Sequence, residues 1–274
     1  MDLKTIKYSC ADHIATIMLS RPKRRNAWTG RMHTEYRWVL ERADSDPDIR
    51  VIIVTGDPEG RAFCAGADTA ALEGHEQKGG YDPGTPPDLA RPGFGVRPEF
   101  DANFAYHFGL KKPVIAALNG AAAGIGLVLA CYADLRFAET GAKFTAAHGR
   151  FNFPPEFGLS WLLPRIVGLT HAQDILLSSR VFLAEEAMAM GLLNAVLPPD
   201  RLMAHVQDYA RMLATTVAPG SLRATKRQLY TDLHRDAATA VIEAERLLEE
   251  MVKEPDYKEG LKAWLAKRTP DWKG

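Results

Sequence analysis

The sequence predicts an α/β fold of parallel strands wound with helices, followed by a helical C-terminal region. The apolar segment Ile14–Leu19 reads as a strand, residues 29–43 show helical spacing, and the apolar run 51–54 reads as a second strand. This strand, helix, strand order is typical of parallel α/β proteins. Beyond Pro198 and Pro199 the pattern becomes almost entirely helical. We therefore divide the chain into a core, residues 1–197, and a helical region, residues 198–274.

Each element of the first half has its own local signals. The strand Ile14–Leu19 ends at residues 20–22, which include Pro22, and the helix that follows repeats apolar residues near helical spacing. The strand 51–54 ends at Thr55 and Gly56. Residues 73–99 are rich in Gly and Pro and show little periodicity, so they predict a long loop. That loop is either a mobile surface segment or a pocket wall that sets substrate specificity.

The second half continues the alternation and then changes character. A strand at 114–118 precedes a helix at 127–132 that is apolar on most sides and therefore buried. Residues 134–138 read as a short strand. Helices are predicted at 170–179, 184–190, 200–217, 219–234 and 236–253. The last three cannot bury every apolar face by themselves, so we expect them to pack on the core or on a neighbouring subunit.

Composition excludes several classes of function. The chain has 274 residues, with 34 Lys plus Arg balanced by 34 Asp plus Glu. Such a balance gives no overall field that would attract nucleic acid or an anionic membrane. The three cysteines and eight histidines show no metal-ligand spacing, so we expect no metal site. With no apolar run long enough for a membrane span and no signal-peptide core at the start, the sequence predicts a protein of the reducing cytoplasm.

Two turns of small residues carry the strongest chemical signal. Residues 62–68 follow the strand 51–54, and residues 119–126 follow the strand 114–118. Where side chains are this small, a ligand can approach the main-chain amides directly. Amides of this kind can hold an oxygen that becomes negative during a reaction, and two turns can supply two amides to one oxyanion.

These turns and several other motifs are similar to those of the crotonase superfamily, also called the enoyl-CoA hydratase/isomerase family. The resemblance covers roughly residues 5 to 270. It rests on the order and spacing of Arg21-Pro22 with Asn26-Ala27, the turns 62–68 and 119–120, and the segments 112–117, 158–165 and 184–187 with 191–192.

The resemblance implies a crotonase-like spiral of ββα turns with a C-terminal helical oligomerisation region. It implies a homotrimer or a dimer of trimers, with an acyl-CoA thioester as substrate. Coenzyme A then belongs to the substrate, and no cofactor is tightly bound. By position, the amides of Ala67 and Ile125 match the oxyanion hole of the family.

The family also places coenzyme A against residues that match a short set in this chain. The matching residues are Arg24, Arg25, Ala27, Ala65, Asp68 and Thr69. The two arginines could pair with the CoA phosphates, or they could form an ordinary solvated basic turn. Residues 225–227 resemble a segment that reaches the CoA phosphates of a neighbouring subunit.

The chain departs from the family at the acid and base residues. Hydratases of the family use two glutamates to hold one water, and the matching positions here carry Val128, four residues after Gly124, and His148, four after Phe144. Glu156 matches the catalytic aspartate of the dienoyl-CoA isomerases and the chlorobenzoyl-CoA dehalogenases of the family. His148 is either a base near neutral pH or a pocket-wall residue, and Glu156 is either a proton carrier or an exposed or ion-paired turn residue.

These observations predict an enoyl-CoA hydratase/isomerase-like enzyme that stabilises a thioester enolate and lacks the standard two-glutamate hydratase site. Isomerisation of a double bond, or an unusual hydration or hydrolysis, fits the residues better than ordinary hydration. The alternative is a non-catalytic acyl-CoA-binding paralogue or partner subunit. The peptidase version of the superfold is a weaker possibility, because the sequence has no evident Ser-His-Asp arrangement.

Overall fold

A computed structural model of the protein describes residues 1–78 and 89–274. The strands are β1 Ile6–Ala11, β2 Ile14–Leu19, β3 Val51–Gly56, β4 Ala62–Cys64, β5 Val114–Leu118, β6 Ala121–Ala123, β7 Leu135–Glu139, β8 Lys143–Thr145, β9 Phe182–Leu183 and β10 Ala195–Leu197. The helices are α1 Gly30–Ser45, α2 Thr69–Lys78, α3 Ile125–Tyr132, α4 Leu159–Ser178, α5 Ala184–Ala189, α6 Pro199–Thr216, α7 Pro219–Thr231, α8 Ala237–Met251 and α9 Pro255–Leu265.

The chain winds as a spiral that gives one strand to each of two sheets on every turn. The larger sheet has the order β1-β2-β3-β5-β7-β10 and the smaller one the order β4-β6-β8-β9. The pairs β3–β5, β5–β7, β4–β6 and β6–β8 are parallel. Thus β3-β4-α2, β5-β6-α3 and β7-β8-α4 are successive ββα turns, as predicted.

The larger sheet is covered on both faces, which explains the continuous apolar run of β3. Ile52 and Val54 point into the main core, whereas Val51 and Ile53 pack with buried residues of α6 such as Val206. A parallel strand that is buried on both faces needs apolar residues at every position rather than at alternate ones.

Several predicted elements are confirmed, with shifts at their ends. The strand Ile14–Leu19 and the buried helix α3 lie where the sequence places them, and α1 begins after Thr29, whose side chain accepts a hydrogen bond from the Met32 amide. The helix predicted at 170–179 is the second part of α4. The sequence pattern missed the first part because Pro164 lies inside the helix and Gly168 breaks it with a φ of 76°.

The prediction of a loop over residues 73–99 is wrong for its first part, because α2 extends to Lys78. Asp68 precedes this helix and its carboxylate accepts a hydrogen bond from the Ala70 amide, which favours helix initiation. Residues 79–88 of the predicted loop lie outside the described residues.

The C-terminal helices differ in how they are covered. Four residues of α6 are buried against the larger sheet, whereas α8 buries none of its residues within the chain. Large apolar side chains of α8 and α9, including Ile242, Leu248 and Trp264, remain exposed. Thus α6 packs on the core, as one part of the prediction stated. Within the described residues, no helix has both the length and the apolar character that a bilayer span requires.

Candidate active site

The two small-residue turns meet at one edge of the smaller sheet. Strands β4 and β6 are parallel neighbours, with Ala62 opposite Ala121, so their carboxyl ends lie side by side. Gly66 adopts a φ of 101°, and a Cβ atom at this position would lie 3.2 Å from the Ala123 carbonyl oxygen. A larger residue here would be strained and would press the two turns apart.

The amides of Ala67 and Ile125 are both left without a partner among the described residues. The Trp28 amide donates to the Gly66 carbonyl and the Asp68 amide donates to the Trp28 carbonyl, which leaves the Ala67 amide between these two bonds unused. Ile125 is the first residue of α3, where an amide has no intrahelical acceptor. It also lies at the positive end of the helix dipole.

A cavity of ≈ 230 Å³ opens between these turns and residues 146–156. Six of the predicted site residues line it: Ala65, Ala67, Thr69, Ile125, His148 and Glu156. The rest of the described wall is small or apolar, with Leu72, Phe151 and Phe153 as the largest members. The structure therefore brings the proposed oxyanion donors, the carboxylate and the imidazole to one cavity.

Glu156 is half-buried in the cavity wall and accepts no hydrogen bond from a described residue. Burial raises the pKa of its carboxyl, and no neighbouring cation counteracts this effect. Neither Arg150 nor Arg165 pairs with it; Arg165 instead lies over the ring of Trp161, 4.1 Å from its centroid. Glu156 is therefore not the ion-paired turn residue that the sequence allowed as an alternative.

The sequence resemblance predicts that His148 and Val128 stand at the positions of the two hydratase glutamates. His148 is 7% exposed and its Nδ1 has no hydrogen-bond partner among the described residues. Burial lowers the pKa of His148, although the carbonyls of Leu176 and Ala146 act in the opposite direction, so the imidazole is neutral at neutral pH. Val128 is 1% exposed and is not among the described residues that line the cavity.

The predicted CoA-binding residues outside the cavity fall into two groups. Arg24 and Arg25 are exposed. Their turn lies next to the first small-residue turn, because the Ala65 amide donates a hydrogen bond of 3.2 Å to the Arg25 carbonyl. Asp68 and Ala27 are buried and do not line the cavity. Arg21, which the sequence offered only as a motif residue, donates to the Asp68 carboxylate at 2.9 Å and to the Ala27 carbonyl at 2.7 Å.

Lys226, the middle residue of the predicted segment 225–227, is buried within its own chain. It is 4% exposed, and its Nζ donates to the Asp134 carboxylate at 2.7 Å and to the Lys112 carbonyl at 2.9 Å. This buried ion pair connects α7 to the core. Within residues 1–78 and 89–274, no cluster of three side chains suited to holding a metal ion is found.

Residues 10–274 match the family model described as enoyl-CoA hydratase/isomerase. The chain belongs to this family. It is 33% identical over 265 residues to the 1,2-epoxyphenylacetyl-CoA isomerase of Escherichia coli, with 95% of each chain covered. It is 32% identical over 278 residues to a probable enoyl-CoA hydratase of Rhodobacter capsulatus, with 100% of each covered.

Solved structures of the enoyl-CoA hydratase/isomerase family share the fold. The enoyl-CoA hydratase of Bacillus anthracis superimposes with a TM-score of 0.85 at 28% identity, covering 99% of this chain and 100% of that one. The crotonase-like spiral and the family membership predicted from the sequence are thereby confirmed.

Proposed function

We propose that this protein is an acyl-CoA isomerase that stabilises a thioester enolate with the amides of Ala67 and Ile125 and moves the proton with Glu156. One observation carries the proposal. Glu156 is the carboxylate among the described residues of the cavity wall, it has no partner there, and it shares that cavity with two unused amides. Groups whose pKa is shifted by burial in a cleft are typical of proton transfer sites.

The two amides explain how the proton could be removed. When a base takes a proton from the carbon next to a thioester, negative charge moves onto the thioester oxygen. Fixed amides that face this oxygen stabilise it more in the transition state than in the ground state, and one such donor contributes roughly 2.7–4 kcal/mol. The Ile125 amide gains further from its place at the start of α3.

A single carboxylate is sufficient for isomerisation. In the conversion of a 3-enoyl to a 2-enoyl thioester, the Glu156 carboxylate removes a proton from the α-carbon and the electron pair passes to the thioester oxygen as an enolate. The resulting carboxylic acid then returns the proton to the γ-carbon, and the double bond moves into conjugation. No water is consumed, so no second group is needed to split one.

Ordinary hydration has different requirements, which this site lacks. Adding water across a double bond needs a group that takes a proton from the water and one that supplies a proton to carbon. Val128 can do neither, and the neutral imidazole of His148 stands where the second glutamate would be. We propose that His148 shapes the cavity and offers one hydrogen bond to the substrate.

We further propose that the CoA moiety lies across the turn 22–27 and the start of α2. Lys23, Arg24 and Arg25 are exposed, and none has an ion-pair partner among the described residues. Three unpaired cations beside the cavity suit the phosphates of coenzyme A. Ala27, Ala65, Asp68 and Thr69 would then contribute mainly through the main chain that lies between these cations and the cavity.

The exposed apolar face of α8 and α9 supports assembly into a trimer or a dimer of trimers, since monomeric proteins rarely leave so many large apolar side chains uncovered. Light scattering after size exclusion tests this expectation directly. A stable monomer at micromolar concentration would contradict it.

The central experiment compares wild type with Glu156→Gln on 3-hexenoyl-CoA in deuterium oxide. Ultraviolet absorbance follows conjugation of the thioester, and mass spectrometry counts deuterium gained at carbon. We expect turnover and exchange with wild type, loss of both in the variant, and unchanged calorimetric affinity for free coenzyme A. Glu139→Gln is the matched control, because burial also raises the pKa of Glu139 but it does not line the cavity.

Three results would overturn the proposal. Full turnover in Glu156→Gln would remove its catalytic role. Hydration of crotonyl-CoA by wild type at ordinary enzyme rates would show that the acid and base are misassigned. Binding without turnover across 3-enoyl-, dienoyl- and hydroxyacyl-CoA thioesters would favour the non-catalytic acyl-CoA-binding protein.

A further inference from the structure

The turn that carries Glu156 is tied to the oxyanion helix by one side chain. Tyr132, the last residue of α3, donates a hydrogen bond from its hydroxyl to the Phe157 carbonyl at 2.7 Å. Ile125, whose amide is the proposed oxyanion donor, is the first residue of the same helix. One short rigid element therefore connects both halves of the proposed site.

The backbone of this turn needs an external anchor. Phe157 has a φ of 50° and Gly158 a φ of 72°, so two consecutive residues lie in the left-handed region. A phenylalanine in this region is strained, and such residues persist when their surroundings hold them. A Cβ atom at Gly158 would lie 3.0 Å from the Tyr132 hydroxyl, which shows how closely that oxygen contacts the turn.

The rings hold the same turn from the side. The ring of Phe157 meets Phe104 edge to face at 4.9 Å between centroids, and the ring of Tyr132 lies 6.4 Å from that of Phe104. Burial raises the pKa of Tyr132 to about 12, so its hydroxyl keeps its proton and remains a donor. Tyr132 thus restrains Phe157 through its hydroxyl, and Phe104 restrains it through its ring.

The Glu156 carboxylate depends on this anchor because it has no hydrogen bond of its own among the described residues. Its position over the cavity is set by the backbone on either side. On the preceding side stand Pro154 and Pro155, which carry no amide hydrogen to bond the chain elsewhere. On the following side stands Phe157, which Tyr132 holds.

We propose that Tyr132 is a positioning residue that holds the Glu156 carboxylate at a fixed place relative to the Ile125 amide. This inference rests on the proposed function, since it matters only if Glu156 moves the proton. In this role the Tyr132 hydroxyl contacts no reacting atom and acts through the Phe157 carbonyl. A misplacement of about 1 Å at a reacting group can cost about 100-fold in rate.

The test is Tyr132→Phe, which removes the hydroxyl and keeps the ring packing. For 3-hexenoyl-CoA we expect kcat to fall about 10- to 100-fold, with KM within about twofold of wild type, since the CoA contacts lie elsewhere. Two tyrosines of the same aromatic region serve as controls. Tyr106 has a buried hydroxyl without a partner among the described residues, and Tyr230 donates to the Asp134 carboxylate at 2.7 Å.

Tyr106→Phe should leave both kcat and the melting temperature near wild type. Tyr230→Phe loses a hydrogen bond of the same length as that of Tyr132, so it should lower the melting temperature while kcat stays within about twofold. A general structural effect would reduce kcat in both the Tyr230→Phe and Tyr132→Phe variants. A positioning effect reduces it only in Tyr132→Phe.

A double variant separates this inference from the proposed function. If Tyr132 acts through Glu156, adding Tyr132→Phe to Glu156→Gln lowers the residual rate no further. A further drop of tenfold or more would overturn the positioning role, as would wild-type kcat in a folded Tyr132→Phe protein. If Glu156→Gln itself keeps full turnover, it is the proposed function that fails.

Discussion

The proposed role of the Ile125 amide can be tested by removing that amide alone. Proline is tolerated at the first position of a helix, because the missing amide hydrogen would have no intrahelical acceptor. Ile125 occupies this position in α3. The preceding Gly124 has φ 49° and ψ −117°, the mirror image of the extended conformation that residues before proline adopt, and glycine can hold it. We therefore expect Ile125→Pro to fold.

The expected loss is that of one oxyanion donor, about 100- to 1,000-fold in kcat. Ile125 is also buried, so the substitution removes packing, and truncation of a buried isoleucine costs roughly 2–5 kcal/mol of stability. Ile125→Ala is the matched control, because it removes more of the side chain but keeps the amide. Deuterium exchange and conjugation of 3-hexenoyl-CoA measure the rate, and calorimetry measures the melting temperature.

The comparison between the two variants decides the question. We expect the alanine variant to lose stability and keep most of its rate, while the proline variant loses the rate at a similar or higher melting temperature. If folded Ile125→Pro turns over within threefold of Ile125→Ala, the amide is not a donor and the reasoning from the two turns fails.

Three further predictions concern the pH dependence of stability, CoA binding, and the ion pair between Arg21 and Asp68. Burial raises the pKa of Glu156 in the folded protein, so ionisation of this carboxyl lowers the stability of wild type as pH rises through that pKa. The melting temperature of Glu156→Gln should therefore lie above that of wild type near pH 7 and equal it below about pH 4. Replacing both Arg24 and Arg25 by Ser should raise KM for the thioester about tenfold and leave kcat unchanged, whereas Lys111→Ser changes neither. Asp68→Asn should lower stability by about 1–3 kcal/mol at pH 7, because it replaces the charged acceptor of the bond from Arg21 with a neutral amide. Burial favours a higher pKa for Asp68, but the bonds from Arg21 and the Ala70 amide, with the charges of Arg21 and Arg24, together outweigh it and keep that pKa low. The difference should therefore shrink on acidification, and an unchanged melting temperature would contradict this.

The parts of the proposed site that depend on local backbone pattern could be predicted from the sequence. Ala67 and Ile125 stand in turns of small residues directly after buried strands, and parallel pairing of β4 with β6 brings such turns together. The alternation of strands and helices likewise predicted the order of the fold. Apolar runs and small-residue turns are local patterns, so they can be recognised without knowledge of tertiary contacts.

Other features depend on contacts between distant segments and left no local signal. The Tyr132 hydroxyl and the Phe157 carbonyl are 25 residues apart in the sequence. No pattern in residues 154–158 predicts that Phe157 adopts a left-handed backbone conformation. The start of α2 was missed although Asp68 is a favoured capping residue, because Gly74 and the glycines after it outweighed that cap in the pattern. Residues 225–227 resemble a segment that reaches the CoA phosphates of a neighbouring subunit, and only the structure shows Asp134 beside Lys226.

The two halves of the site therefore have different physical origins. The proposed oxyanion amides belong to the main chain, so small residues suffice to present them and many sequences can preserve them. The proposed proton carrier, the Glu156 carboxylate, is a side chain on a strained turn, and its role requires distant residues to hold that turn over the cavity. Substitutions at Tyr132 or Phe104 should consequently change the rate of proton transfer and leave thioester binding nearly unchanged.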